Sequence, residues 1–289
     1  MQRETIADGL FFGEGPRWHD GRLWFSDFYQ HAVLSVGAHG DVRIEHQFSE
    51  QTSGLGWLPD GRLVVVGMNS MTLLRQEESG FVVHADLSEH ARHLCNDMVI
   101  DADGRAYVGN FGFDLDEHIR SRGPEVVMKD HPKADLICVE PDGRVHVAAP
   151  DLSFPNGAVI TPDGNTLIIA ETLGMCLTAF DRAEDGSLSN RREWAPVGGR
   201  APDGICLDAD GNVWVADALS TECVLFEEGG NVMATAQASQ NCFACMLGGE
   251  DGNDLFMMTA PSSDKSKASK SPGAKIERVK APAPRAGWP

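Results

Sequence analysis

Short apolar runs broken by Asp-Gly turns recur along the chain. Aligned on those turns, six segments match: GPRWHDGRLWFSD (15–27), GLGWLPDGRLVVVG (54–67), NDMVIDADGRAYVGN (96–110), NGAVITPDGNTLIIAE (156–171), DGICLDADGNVWVAD (203–217) and ACMLGGEDGNDLFMMT (244–259). Each has an apolar strand, the turn, then a strand rich in Val, Ile, Leu or Trp, which is the pattern of a β-hairpin. The turn glycines Gly21, Gly61, Gly104, Gly164, Gly211 and Gly252 stand 40 to 47 residues apart, except for 60 between Gly104 and Gly164. Further strand candidates fill the intervals, such as HAVLSVGAHGDVRIEHQF (31–48), LICVEPDGRVHVAA (136–149) and ECVLFEEGGNVMATA (222–236). Four strands per period is the content of one propeller blade. The pattern therefore predicts an all-β, six-bladed β-propeller with four-stranded antiparallel blades. A stacked solenoid is the alternative, and four strands per period fit it less well.

The whole chain, 1–289, reads as one domain. The long interval carries an insertion over 111–133, expected as a loop above one face. The Ser/Lys-rich stretch 262–273 is followed by a strand-like AKIERVK (274–280), so it reads as a loop inside the last blade, with 281–289 a Pro-rich tail. Pairing of the two chain ends within one blade would close the ring and hide its edges.

Counting back from the turns exposes a second regularity. Eight residues before Gly61, Gly104, Gly164, Gly211 and Gly252 stand Ser53, Asn96, Asn156, Asp203 and Ala244. The first unit is one residue shorter, and its equivalent is Glu14. In a propeller the first strand of each blade lines the central channel, so these positions form a ring on one face. Four of the six are Glu, Asp or Asn, all oxygen donors. Two carboxylates in one small space repel unless a cation or proton lies between them. Turn and strand-start preferences account for an isolated Asn156 or Asp203, but not for Glu14, whose side chain is too long to cap its own backbone. Without Cys or His, the set suits a hard divalent ion. One ion is expected, Ca²⁺ first, with Mn²⁺, Mg²⁺ or Zn²⁺ as alternatives.

Composition narrows the partners. A net charge of −19 with no basic stripe argues against nucleic acid. No run approaches the roughly 18 apolar residues of a membrane span, and the N-terminus has no secretory apolar stretch. Seven scattered cysteines suit reduced thiols in the cytoplasm. Cys242 and Cys245 form a C-x-x-C pair, which we read as two packed strand thiols rather than a zinc or redox site. The sequence leaves the oligomeric state open.

Four motifs in order carry a family resemblance: E-G-P-x-W (14–18), N-D-x-x-x-D-x-x-G-R (96–105), F-P-N-G (154–157) and A-P-D-G-x-x-x-D-x-x-G-x-x-W-V-A (201–216). Over about 13 to 280 the chain resembles the family of senescence marker protein (regucalcin), gluconolactonases and luciferin-regenerating enzymes. The resemblance implies one divalent ion near the axis of a six-bladed propeller and metal-dependent hydrolysis, most often of lactones. It places metal ligands on Glu14, Asn156 and Asp203, with Asp203 also as general base. It gives Asn96 a role in contacting the substrate or completing the metal environment. Sugar-lactone members carry an arginine two residues before that asparagine. Here the position is Leu94, which points to a less hydroxylated lactone or ester.

The expected chemistry is attack on a lactone or related ester by a water that Asp203 activates, with Asn96 orienting the reactants. No G-x-S-x-G elbow is present. The second strand of each hairpin returns to the ring's face, so the pocket wall is expected from its ends: Asp27 to Tyr29, Met68 and Asn69, Asn110 and Phe111, Glu171 and Thr172, Asp217 and Ala218, Thr259 and Ala260. Among these, Asn110, Phe111 and Met68 join Leu94 and Asn96 as expected substrate contacts. The alternatives are a phosphotriesterase-like hydrolase and a calcium-binding propeller without turnover.

Overall fold

The computed structural model describes residues 2–289 and contains six four-stranded antiparallel sheets. Five blades use four consecutive strands. The sixth is composite: Glu4–Leu10 forms its outermost strand, next to Ala274–Lys280, then Asp254–Ala260, then Asn241–Gly248 at the axis. The chain ends thus meet in one blade and the ring closes through backbone pairing, as the sequence predicts.

The inner strands are Gly13–His19, Thr52–Trp57, Cys95–Ile100, Pro155–Ile160, Pro202–Leu207 and Asn241–Gly248. Their middles are apolar on both sides, because each is packed between neighbouring blades. Leu55, Val99, Val159 and Leu247 are fully buried. In every inner strand the pairing with the next strand is interrupted near its start, between Glu14 and Arg17, Thr52 and Leu55, Cys95 and Met98, Pro155 and Ala158, Pro202 and Ile205, and Cys242 and Ala244. Such irregularities re-aim side chains, and here each lies at the ring position. A glycine follows that position in four blades, where neighbouring strands almost touch. A Cβ on Gly157 would lie 2.6 Å from the Ile205 nitrogen.

The 111–133 insertion is not an irregular loop. It forms two short helices, α1 (Leu115–Arg122) and α2 (Pro124–Lys129), with Asp114 capping α1 through the Glu117 N–H. Phe113 and the buried Val127 join Phe154 and Leu173 in an apolar cluster, which docks the insertion beside the start of the fourth inner strand. The 262–273 segment carries a single helical turn, α3 (Lys265–Ala268).

The tail 281–289 is pinned across the opposite face. Backbone hydrogen bonds join Ala281 to Asn253, Arg285 to Gly252, Ala286 to Leu207 and Trp288 to Ile160, spanning blades 6, 5 and 4. No helix among the described residues is long and apolar enough to cross a membrane.

Candidate functional site

The six ring positions sit at the starts of adjacent inner strands, all of them buried. A directed chain of hydrogen bonds runs around much of the ring. Ser53 Oγ donates to Asn96 Oδ1 at 3.2 Å, and Asn96 Nδ2 to Asn156 Oδ1 at 3.0 Å. Asn156 Nδ2 then donates to Thr172 Oγ1 at 3.1 Å, and that hydroxyl donates to the Pro202 carbonyl at 2.7 Å. Both amides are therefore fixed in orientation. Asn156 keeps a lone pair on Oδ1.

Glu14 and Asp203 complete the group, each 8 % exposed. Burial pushes the Glu14 carboxyl well above its usual range, and the charges of Asp203 and Asp97 push it further. Asp203 is raised likewise, by burial first and then by Asp97, against a hydrogen bond from Asn156 that favours its ionised form. Among the described residues, no Arg or Lys acts on either carboxylate.

The one basic group close by is committed elsewhere. Arg17, 4 % exposed, donates from Nη2 to Asp97 Oδ1 at 2.8 Å and from Nη1 to the Pro16 carbonyl at 2.7 Å, and it also reaches the Met98 carbonyl. The near-axial charges are thus the carboxylates of Glu14, Asp97 and Asp203 against one guanidinium. With all ionised they leave two negative charges, which one divalent cation would balance. The donor set of two carboxylates and a fixed amide oxygen fits such an ion.

Other expected positions differ in what surrounds them. Leu94 and Phe111 are half-buried and pack against the apolar cluster that holds Phe12, Phe28, Met68 and Phe243. Met68 is enclosed in that cluster at 1 % exposure. Asn110 is fully buried, with its amide donating to the Asp135 carbonyl at 2.8 Å and its Oδ1 without a partner. The acidic ends of the second strands have a structural task. Asp27 accepts from the backbone N–H groups of Phe11 and Phe12, Glu171 from that of Ser153, and Asp217 from that of Ala201. They fasten the chain as it enters the inner strand, so their carboxylates are committed to backbone N–H groups.

Arg17 and Asp97 were not singled out from the sequence, although both carry a signal. Arg17 is a charge inside an inner strand whose counterparts are mostly apolar. Asp97 follows a ring residue where four other blades have glycine. Two open clefts of about 300 and 250 Å³ lie on the rim between outer strands, one lined by Pro150, Phe180 and Arg191, the other by Thr5, Asp8 and Val42.

Comparison with known proteins agrees with the fold. The family model for the SMP-30/Gluconolactonase/LRE-like region matches residues 12–261. Regucalcin of Xenopus laevis is 25% identical over 266 residues, covering 89% of this chain and 85% of that protein. Regucalcin of Danio rerio is 26% identical over 181 residues, and the match spans 61% of this chain but only 57% of that protein's length. Pentonolactonase XacC of Haloferax volcanii is 25% identical over 264 residues, covering 86% and 81% of the two chains. Among solved structures, a luciferin-regenerating enzyme superposes with a TM-score of 0.80 at 18% identity, covering 99% of this chain and 98% of that one. A gluconolactonase from Xanthomonas campestris superposes with a TM-score of 0.73 at 22% identity, covering 97% and 89%.

Proposed function

The chain belongs to the SMP-30/Gluconolactonase/LRE-like family, and from that premise and the axial ring we propose that it is a divalent-metal-dependent hydrolase that opens a lactone or related ester. The observation that carries the reading is the pair Glu14 and Asp203. They are two buried carboxylates with raised affinities for protons, no basic partner of their own, and a fixed Asn156 oxygen beside them. A purely structural ring has no need to bury two unneutralised acids.

Glu14, Asn156 and Asp203 would hold the ion, with Ca²⁺ the first candidate. Three protein ligands leave room in its shell, and an ion bound there would polarise a carbonyl oxygen and acidify a water. Asp203 accepts a proton from the attacking water. Asn96, held between Ser53 and Asn156, orients the water or the substrate through its amide. Leu94 and Phe111, on the apolar cluster with Phe12 and Phe28, supply a surface for hydrocarbon and no charge for sugar hydroxyls. A lactone with few hydroxyls is the substrate class this surface fits best.

The test is hydrolysis of a panel of sugar and non-sugar lactones by chelated protein resupplied with Ca²⁺, Mn²⁺, Mg²⁺ or Zn²⁺. Turnover that disappears on chelation, returns with one ion and favours the less hydroxylated lactones is the expected result. Tight ion binding without turnover would point to an ion-binding propeller. Cleavage of phosphotriesters with lactones untouched would point to the other hydrolytic chemistry.

A further inference from the structure

Four of the seven cysteines converge on one seam. Cys206 lies on the inner strand of blade 5, Cys223 on the third strand of that blade (Glu222–Phe226), and Cys242 and Cys245 on the inner strand of blade 6. All four are free thiols at 1 % exposure or less. The C-x-x-C pair is therefore joined by two partners far away in sequence. Cys206 Sγ and Cys245 Sγ are 3.8 Å apart. Cys223 is buried in the same seam, near enough to Cys245 and Cys242 for them to influence its thiol.

A cluster of this kind suits one chemistry better than another. A tetrahedral thiolate site would gather its sulfurs mutually close around the ion. Among the described residues, the one trio of His, Cys, Asp or Glu donors lying mutually within 4.8 Å is Cys138, Glu140 and His146 on blade 3. The Glu140 carboxylate of that trio is already held by Arg105 at 3.0 Å. Among the described residues no three of the seam's sulfurs lie mutually within 4.8 Å, whereas Cys206 and Cys245 have theirs in contact, which is the arrangement for joining two thiols. The strands that carry them are already in contact, since a Cβ on Gly204 would lie 2.6 Å from the Ala244 Cβ. The two sulfurs, 3.8 Å apart, have to close to the roughly 2.05 Å of a disulfide.

We propose that Cys206 and Cys245 are an oxidation site, at which a hydroperoxide converts the two thiols into a disulfide that ties blade 5 to blade 6 beside Asp203. The O–O bond breaks and the S–S bond forms. Two protons and two electrons pass from the thiols to the oxygens, so hydrogen peroxide leaves as two waters. The bond links the strands that bear the ring positions Asp203 and Ala244, three residues and one residue away. It fastens the seam next to the composite blade, where the ring is closed by the chain ends.

The experiment uses the full-length protein, held with hydrogen peroxide for hours well below its melting temperature, then unfolded, alkylated and mapped by mass spectrometry. The expected result is a fall from seven alkylatable thiols to five, one cross-linked peptide pair containing Cys206 and Cys245, and full return on adding dithiothreitol. The cross-linked form should melt roughly 5 °C or more higher. In the Cys206→Ala variant that peptide pair is absent, with circular dichroism showing that the variant is folded. Persistence of alkylatable Cys206 and Cys245 in the wild type, or a bond that joins other cysteines instead, would overturn the proposal.

Discussion

The two ends of the inner hairpins carry the same kind of residue in opposite circumstances. At the turn end, Asp60 accepts from the Arg62 backbone N–H at 3.1 Å and from its guanidinium at 2.9 Å, and Asp163 accepts from Thr161 Oγ1 at 2.6 Å and the Asn165 N–H at 3.1 Å. Those bonds hold both acids below their usual range, led by the Arg62 side chain for Asp60 and by Thr161 for Asp163. At the axial end, burial and like charge hold Glu14 and Asp203 above theirs. Turn carboxylates are satisfied by their own neighbours in sequence and spread apart in space. Axial carboxylates have no basic partner and are forced together by the convergence of six strands, the Gly15 N–H being too little to offset burial at Glu14. What is local is structural here, and what is unsatisfied points to a ligand.

The contrast can be broken most severely at Asp203. Asp203→Asn should lower lactone turnover by about 10³-fold, because both a ligand and a general base are lost. The metal-free variant should fold as well as wild type or better, since a buried charge has gone. Steady-state kinetics together with thermal melts of chelated protein check both halves.

Arg17 tests the counter-charge. Arg17→Met leaves Asp97 buried and unpaired, and should cost about 3–5 kcal/mol in chemical denaturation. Adding Asp97→Asn should recover most of that loss, because the pair is then removed together. If the single and double variants lose equal stability, the ion pair is not what Arg17 contributes.

The pH dependence gives the comparison a sign. A carboxyl with a raised folded pKa binds its proton more tightly in the folded chain, so its contribution is greatest below the unfolded value and is lost as pH rises through the folded one. Chelated wild type should therefore lose stability relative to Glu14→Gln as pH is raised above the ordinary carboxyl range, because burial and the charges of Asp203 and Asp97 hold the Glu14 carboxyl above it. Saturating Ca²⁺ should offset that loss. The exposed turn acids have the reverse sign, and Asp163→Asn should shift stability by no more than about 0.5 kcal/mol at neutral pH. Melting curves of the three proteins across pH would show whether the two ends behave differently.

The blades were legible because each hairpin is written locally, as an Asp-Gly turn between apolar runs. The ring was legible for a related reason. Once the strands are placed, a fixed offset from the turn fixes which residues start them. Features that depend on contact between distant segments were not. Arg17 meets Asp97 across 80 residues, and Cys206 meets Cys245 across 39, so neither pairing has a local pattern. Asp27, Glu171 and Asp217 show another limit. Their place at the ring's face was correctly read, but an acid at a strand end looks the same whether it faces a pocket or caps backbone N–H groups. The helices α1 and α2 hide in a segment with little apolar periodicity, whose order comes from docking Phe113 and Val127 on Phe154 and Leu173.

The most direct test of the axial account is to measure ion stoichiometry and lactone turnover on the same chelated preparations of wild type and Glu14→Gln, titrated with Ca²⁺ by calorimetry. The account predicts one ion per wild-type chain, turnover rising in step with occupancy, and an affinity at least about 100-fold weaker in Glu14→Gln. Equal affinity in the two proteins, or turnover in wild type that ignores chelation, would contradict it.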